Sequence, residues 1–225
     1  MVQIWQGRED NRTVKMEIYL TVFMLIAGIG AGRAVNVFFL RRMGYSGCTG
    51  AEIMNGIAWA LLSVFSDISV TLVCFLAAVP CLLVLSAADF QTYEIPREAC
   101  IFLWLLGAVR FLFSEAERIE LLAGIFCISV PLYFIYWVSR GTAIGLGDMR
   151  LMAAAGFLLG GSGIVLAFVT ACVTGTVVHL FRMRYQGVGN RLAFGPYLAF
   201  GIWFSMVWGE RLSAWYMKGL LGGWQ

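Results

Sequence analysis

Charged and turn-forming residues divide the chain into continuous apolar stretches at 17–40, 51–65, 68–88, 97–113, 120–139, 148–160, 162–182 and 193–209. None alternates apolar with polar positions at period two, as the strands of a lipid-facing barrel do, so the pattern predicts helices. A helix needs about 20 apolar residues to cross the bilayer core. The stretches 51–65 and 148–160 fall short of that, which predicts helices that are tilted, broken or supported by neighbours, and six to eight spans in total. The expected fold is an all-α, polytopic integral membrane protein. It has a polar N-terminal segment over 1–16, a transmembrane domain over 17–217 and a C-terminal tail over 218–225. The first apolar stretch runs past the length of a cleaved signal and is expected to be retained. Gly28, Gly30 and Gly32 lie inside it with no strand ahead of them, so they read as helix-packing positions and not as a nucleotide loop.

Composition agrees with the pattern and excludes an ordinary soluble domain. The 225 residues are 60% apolar and 13% charged, against about 45–50% and about 25% in soluble domains, and the mean hydropathy is +0.82. The net charge of +3 comes without any Lys/Arg-rich run, so no nucleic-acid surface is expected and the lipid bilayer is the expected partner. Cysteines stand at 48, 74, 81, 100, 127 and 172 with no C-x-x-C pair. All but Cys48 lie in apolar stretches and read as small buried hydrophobes, outside any disulfide framework or zinc site. Trp104, Trp137, Trp208 and Trp215 sit near proposed membrane boundaries and read as interfacial anchors. His179, the only histidine, has no Cys or Ser motif to complete a nucleophilic triad and reads as helix-packing polarity.

Where charge remains, it is sorted. With eight alternating segments, one set of loops carries Arg41, Arg42, Arg97, Arg140, Arg150, Arg182, Arg184 and Arg191, and the other carries Asp67, the run Glu115, Glu117, Arg118, Glu120, and the turn 160–163. Short-loop arginine marks the cytoplasmic side, which leaves the amino terminus outside, with Arg8, Arg12 and Lys15 discordant. Asp89, ending the third stretch, and Asp148, opening the sixth, then fall at one depth on the cytoplasmic boundary. An ionisable residue at membrane depth costs roughly 2.5–3.5 kcal/mol on insertion scales and is a functional candidate by default, though each could also be a solvated span end. Two carboxylates brought close cannot both ionise cheaply, so one holds a proton while the other stays charged. That division suits peptide-bond hydrolysis without a covalent intermediate, one carboxylate taking a proton from water and the other giving one to the carbonyl oxygen. A proton-coupled transporter using both aspartates as relays is the alternative, and it predicts acidic residues distributed in depth. Glu94 and Glu98 could join Asp148 around a divalent cation, but read more simply as loop charges that attract a basic segment.

At these residues the sequence resembles the type IV prepilin peptidases. The GxGD element Gly145, Leu146, Gly147, Asp148, followed by Met149 and Arg150, is similar to their second aspartate motif. The stretch from Asp89 to Ile95 and Pro96 is similar to the first, and Phe194, Gly195, Pro196 to a third signature. Gly32, Arg33, Asn36 and Arg41 resemble the end of the family's first span, and Glu52 the start of its second. The resemblance covers about residues 27–210, and the third signature with the Asp89-to-Pro96 spacing separates it from the presenilin-type enzymes that share GxGD. It implies a membrane aspartic endopeptidase of the bacterial cytoplasmic membrane. Such an enzyme removes the short basic leader of prepilins or pseudopilins on the cytoplasmic side and needs no metal or other cofactor. Asp89 and Asp148 would be the catalytic pair. Gly145 and Gly147 would bring Asp148 in by permitting close backbone approach and dihedrals closed to other residues, and Pro96 would start the next helix, while Glu94, Arg150, Gly195 and Pro196 would bind substrate or support the site. Many members carry an insert with two C-x-x-C pairs between the first two spans. Here that interval is Arg41 to Gly50 with Cys48 alone, too poor in ligands for zinc. The longer members also N-methylate the new amino terminus, an activity the resemblance leaves open for this chain. The usual lysine two positions after the second aspartate is Arg150, and the Ile-Pro ahead of Phe194 is Leu192 and Ala193.

Overall fold

The computed structural model describes residues 2–37, 49–142, 144–186 and 193–222. Arg41, Arg42, Cys48, Arg191 and Leu192 lie outside the described residues. Within them the elements are helical, in the order α1 Val2–Val35, α2 Thr49–Phe65, α3 Val70–Thr92, α4 Arg97–Phe113, α5 Arg118–Cys127, α6 Ser129–Val138, α7 Leu146–Leu159, α8 Gly161–Gln186 and α9 Gly195–Gly222, with a short 3-10 turn at Glu115–Glu117. Over the described residues every expected apolar stretch is helical, and no strand occurs among them. Four segments are long and apolar enough to cross a bilayer: Met16–Val35, Val70–Thr92, Arg118–Val138 and Gly161–Tyr185. The chain is a multi-pass, all-α membrane protein.

The stretch 120–139 is two helices in line. Pro131 has no N–H to give the carbonyl four residues back, and its ring crowds that carbonyl. The residue four back is Cys127, where α5 stops. Cys127 is consequently exposed on the bundle exterior and not buried as expected, whereas Cys74 and Cys100 are buried and Cys81 and Cys172 half-buried.

α3 is the central helix. Of its span 56% is buried, against 11–22% for the other three, and Leu82 and Leu85 pack in one core with Leu103 of α4, Leu151 and Leu158 of α7, and Ile202 of α9. The outside is ringed by large apolar side chains such as Phe126, Val130, Phe134, Val173 and Val177. A bilayer covers such a surface; in water it would be an aggregation site. Trp137 and Trp215 are exposed on this surface. Trp104, 36% exposed, and Trp208 also stack on Phe157 and Phe204, with ring centroids 5.3 and 4.8 Å apart.

Backbones approach closely where glycines face each other. A Cβ on Gly28 would lie 2.8 Å from Gly56 Cα and one on Gly32 3.0 Å from Glu52 Cα, so these two residues pack α1 on α2, while Gly30 faces open space. The tightest crossing is that of α5 and α7, where a Cβ on Gly124 or Gly156 would strike the other's carbonyl. Overpacking of this kind costs about 1–3 kcal/mol. Gly156→Ala is therefore expected to lower the Tm of the solubilised protein, and Gly30→Ala to leave it unchanged or raise it.

At one end of the bundle lies Arg110, 5% exposed near the end of α4 and far from the charged first turn of that helix. It donates to the Leu158 carbonyl at 2.6 Å, capping the end of α7, and pairs with Glu117 at 2.6 Å. The opposite end gathers the last turn of α3 and the first turns of α4, α7 and α9.

Candidate active site

Asp89 occupies the last turn of α3, where a negative charge opposes the helix dipole, so helix stability does not explain it. Its backbone carbonyl accepts from the N–H of Tyr93, which caps α3 in the left-handed conformation (φ 57°, ψ 26°). The Asp89 side chain is buried, and Oδ2 accepts a 2.8 Å hydrogen bond from the N–H of Gly195. Gly195 is the first residue of α9, whose N–H has no partner within its own helix. A Cβ there would lie 2.8 Å from Cβ, Cγ and Oδ2 of Asp89. The third signature thus orients the first aspartate across 106 residues of sequence.

Asp148 is the third residue of α7 and half-buried, and it takes a hydrogen bond from the N–H of Gly145, the N-cap. This reaching back to the cap is the reciprocal half of a capping box. Of the two reasons expected for the GxGD glycines, special dihedrals and close approach, only the second is met. Gly145 (φ −77°, ψ 144°) is in ordinary extended backbone, and neither glycine is among those with positive φ. Gly147 matters by proximity, since a Cβ on it would lie 3.1 Å from Ile95 Cβ. The glycine lets the start of α7 close on the segment that follows Asp89.

Both carboxylates line one cavity of about 480 Å³. Its walls are Tyr93, Glu94, Ile95 and Arg97 between α3 and α4, the turn from Gly145 to Arg150, and Phe194 ahead of α9. Glu94, Arg150, Gly145 and Gly147 line this cavity. Gly195 reaches it through Asp89, and Pro196 follows Gly195 in the first turn of α9. Pro96 is the N-cap of α4, one position ahead of its first helical residue, and lies outside this cavity. Tyr93 and Arg97 were missed by sequence reasoning. The signal for Tyr93 is a large side chain in a conformation that glycine adopts more cheaply, a strain that collects at functional sites, and only backbone angles reveal it. Among the described residues no three His, Cys, Asp or Glu side chains gather as a metal would require, so Glu94, Glu98 and Asp148 do not form a cation cage.

Asp148 sits at a loop–helix junction, outside the four spanning segments. Burial first, and then the charge of Asp89, push its carboxyl up to about 6, against the lowering effect of the Gly145 N–H. The sign for stability follows by linkage. The folded state holds a proton here that the unfolded chain releases near pH 4, so this residue's contribution falls as pH rises from about 4 to 6. Asp148→Asn is therefore expected to raise the Tm at pH 7, with the gain shrinking toward pH 4. Equal shifts at both pH values would contradict the assignment.

In comparison with known proteins, residues 76–180, which contain both aspartates and the GxGD turn, match the model of the type IV leader peptidase family. The chain is also similar to curated relatives named prepilin leader peptidase/N-methyltransferase. That of Pseudomonas putida is 30% identical over 149 residues, covering 63% of this chain and 51% of the relative. That of Pectobacterium carotovorum is 31% identical over 133 residues, covering 56% and 48%, and that of Xanthomonas campestris is 26% identical over 159 residues, covering 67% and 53%. The chain spans about half the length of these relatives. No solved structure matches it.

Proposed function

We propose that this protein is a prepilin peptidase of the bacterial cytoplasmic membrane, cleaving the basic leader of a prepilin or pseudopilin at the cytoplasmic face. The carrying observation is that Asp89 and Asp148, 59 positions apart in sequence, line a single cavity at one end of a membrane helix bundle. The pair shares one proton. The charged carboxylate takes a proton from water as the oxygen adds to the scissile carbonyl, and the protonated one donates to the carbonyl oxygen. Collapse of the tetrahedral species returns a proton to the leaving nitrogen, and the pair regains its starting state. Gly195 and Pro196 hold Asp89 by starting α9 beside it. Gly145, Gly147 and Pro96 set the approach of α7 to α4, and Glu94, exposed on the cavity wall, attracts the basic leader. Arg150 and Arg97 are placed to hold backbone carbonyls of the substrate.

Co-expression with a tagged type IV prepilin tests this reading. The expected product has lost its leader and begins at the apolar helix; a prepilin left at full length overturns it. For the face of the membrane, a reporter fused after Asp67 is expected to read extracytoplasmic, and a cytoplasmic reading would invert the topology.

A further inference from the structure

We infer that the lipid-facing groove between α3 and α4 seats the apolar helix of the substrate while the leader bond lies in the aspartate cavity. This rests on the reading of that cavity as the cleavage site. The groove has a volume of about 560 Å³ and lies between α3 and α4, with Val35 of α1 on its far wall. Its floor is built of small side chains, Ala77 and Cys81 of α3 and Ala99 of α4, tied together where the Cys81 thiol donates to the Ala99 carbonyl at 3.5 Å. Small residues at a floor let a second helix bring its backbone close. Along the edge, Ile101 and Leu105 are 59% and 60% exposed, apolar partners for the ridge of an incoming helix. From Pro96 to Leu105 the groove follows α4 for nine residues, or about 14 Å, enough for some two and a half turns of a docked helix.

Position and charge select the occupant. Ile95 and Arg97 line the aspartate cavity, whereas Pro96 and Glu98, alternating with them, line the end of the groove. Cavity and groove therefore share one wall, and a chain leaving the aspartates over Pro96 enters the groove directly. Glu98 is an exposed carboxylate on that shared rim. A substrate whose apolar helix begins just past the cleaved bond leaves the aspartates over this rim and meets an apolar trough, while its basic leader stays on the cavity side with Glu94. A lipid acyl chain has no use for the carboxylate.

The test is photo-crosslinking in membranes holding full-length protein and a tagged type IV prepilin. Leu105→p-benzoylphenylalanine is introduced in an Asp148→Asn background, so that capture does not depend on turnover, with Tyr133→p-benzoylphenylalanine on α6 as the control at an equally exposed site. The expected result is a prepilin adduct from position 105, at least tenfold stronger than from 133. Equal yields at the two positions, or adducts at 105 to lipid alone, overturn the inference. Ile101→Trp, which narrows the groove from its exposed edge, is expected to raise the KM for prepilin about tenfold at unchanged kcat, and an unchanged KM counts against the groove. Failure of the groove is distinguishable from failure of the site: no adduct at 105 with processing abolished by Asp148→Asn removes the groove alone, whereas processing that survives Asp148→Asn removes the dyad.

Discussion

Asp89→Asn and Asp148→Asn are each expected to lower the kcat for leader cleavage by about 10³-fold or more, with insertion and folding intact. An amide matches the carboxyl in shape, so the cavity keeps its form while the group that takes or gives the proton is lost. Neither single change leaves a working half, because the reaction needs one charged and one protonated carboxylate at once. At position 148 the fold is expected to gain, since a carboxyl held by burial beside another carboxylate becomes neutral. The amide oxygen that Asp148→Asn introduces keeps an acceptor for the Gly145 N–H. Activity lost together with stability gained is the signature of a catalytic position, and activity lost through unfolding would carry the opposite sign. Cleavage in cells, followed by the size of the prepilin band, reads the first effect, and the Tm of the purified variants reads the second.

Gly195→Ala is expected to cost about 10²-fold in kcat with little change in KM. The added methyl would stand 2.8 Å from three atoms of Asp89, closer than real contacts permit, so the carboxylate or the start of α9 must move. Either movement breaks the 2.8 Å hydrogen bond that aims Oδ2. A displacement of about 1 Å at a reacting group costs on the order of 10²-fold. Gly145→Ala is the informative comparison. Its Cβ would sit 3.4 Å from Asp148 Oδ2, an ordinary contact, in backbone that alanine adopts freely, and it is expected to retain most activity. Comparable losses in the two variants would mean that the cavity has no tolerance at either aspartate.

Much of the architecture was legible because lipid imposes a simple rule. Apolar stretches bounded by charge must be helices, and α4 runs from Arg97 to Phe113 as its boundaries predicted. The two aspartates were legible for the same reason, as carboxylates at the ends of such stretches. Features that depend on another helix were not. Arg110 lay inside an apolar stretch and gave no sign of its partners, the Leu158 carbonyl 48 positions away and Glu117 beyond the helix end. The break at Pro131 was visible as a residue, yet the length of 120–139 suggested one span, and two helices in line still make one. Of the two reasons the sequence offers for Gly145 and Gly147, the special dihedrals are absent at both and the close approach holds at Gly147. The need for Gly147 lies in Ile95, and that for Gly195 in Asp89, contacts that no local periodicity encodes.

The most direct test of the central claim, that Asp89 and Asp148 together activate water on the leader bond, is mass spectrometry of the leader released by purified protein in ¹⁸O-water. The account predicts one ¹⁸O in the new carboxylate of the leader, no hydroxamate when hydroxylamine is present, and leader release lowered about 10³-fold or more in Asp89→Asn and Asp148→Asn. A trapped hydroxamate, or leader released at near wild-type rate by either variant, would contradict it.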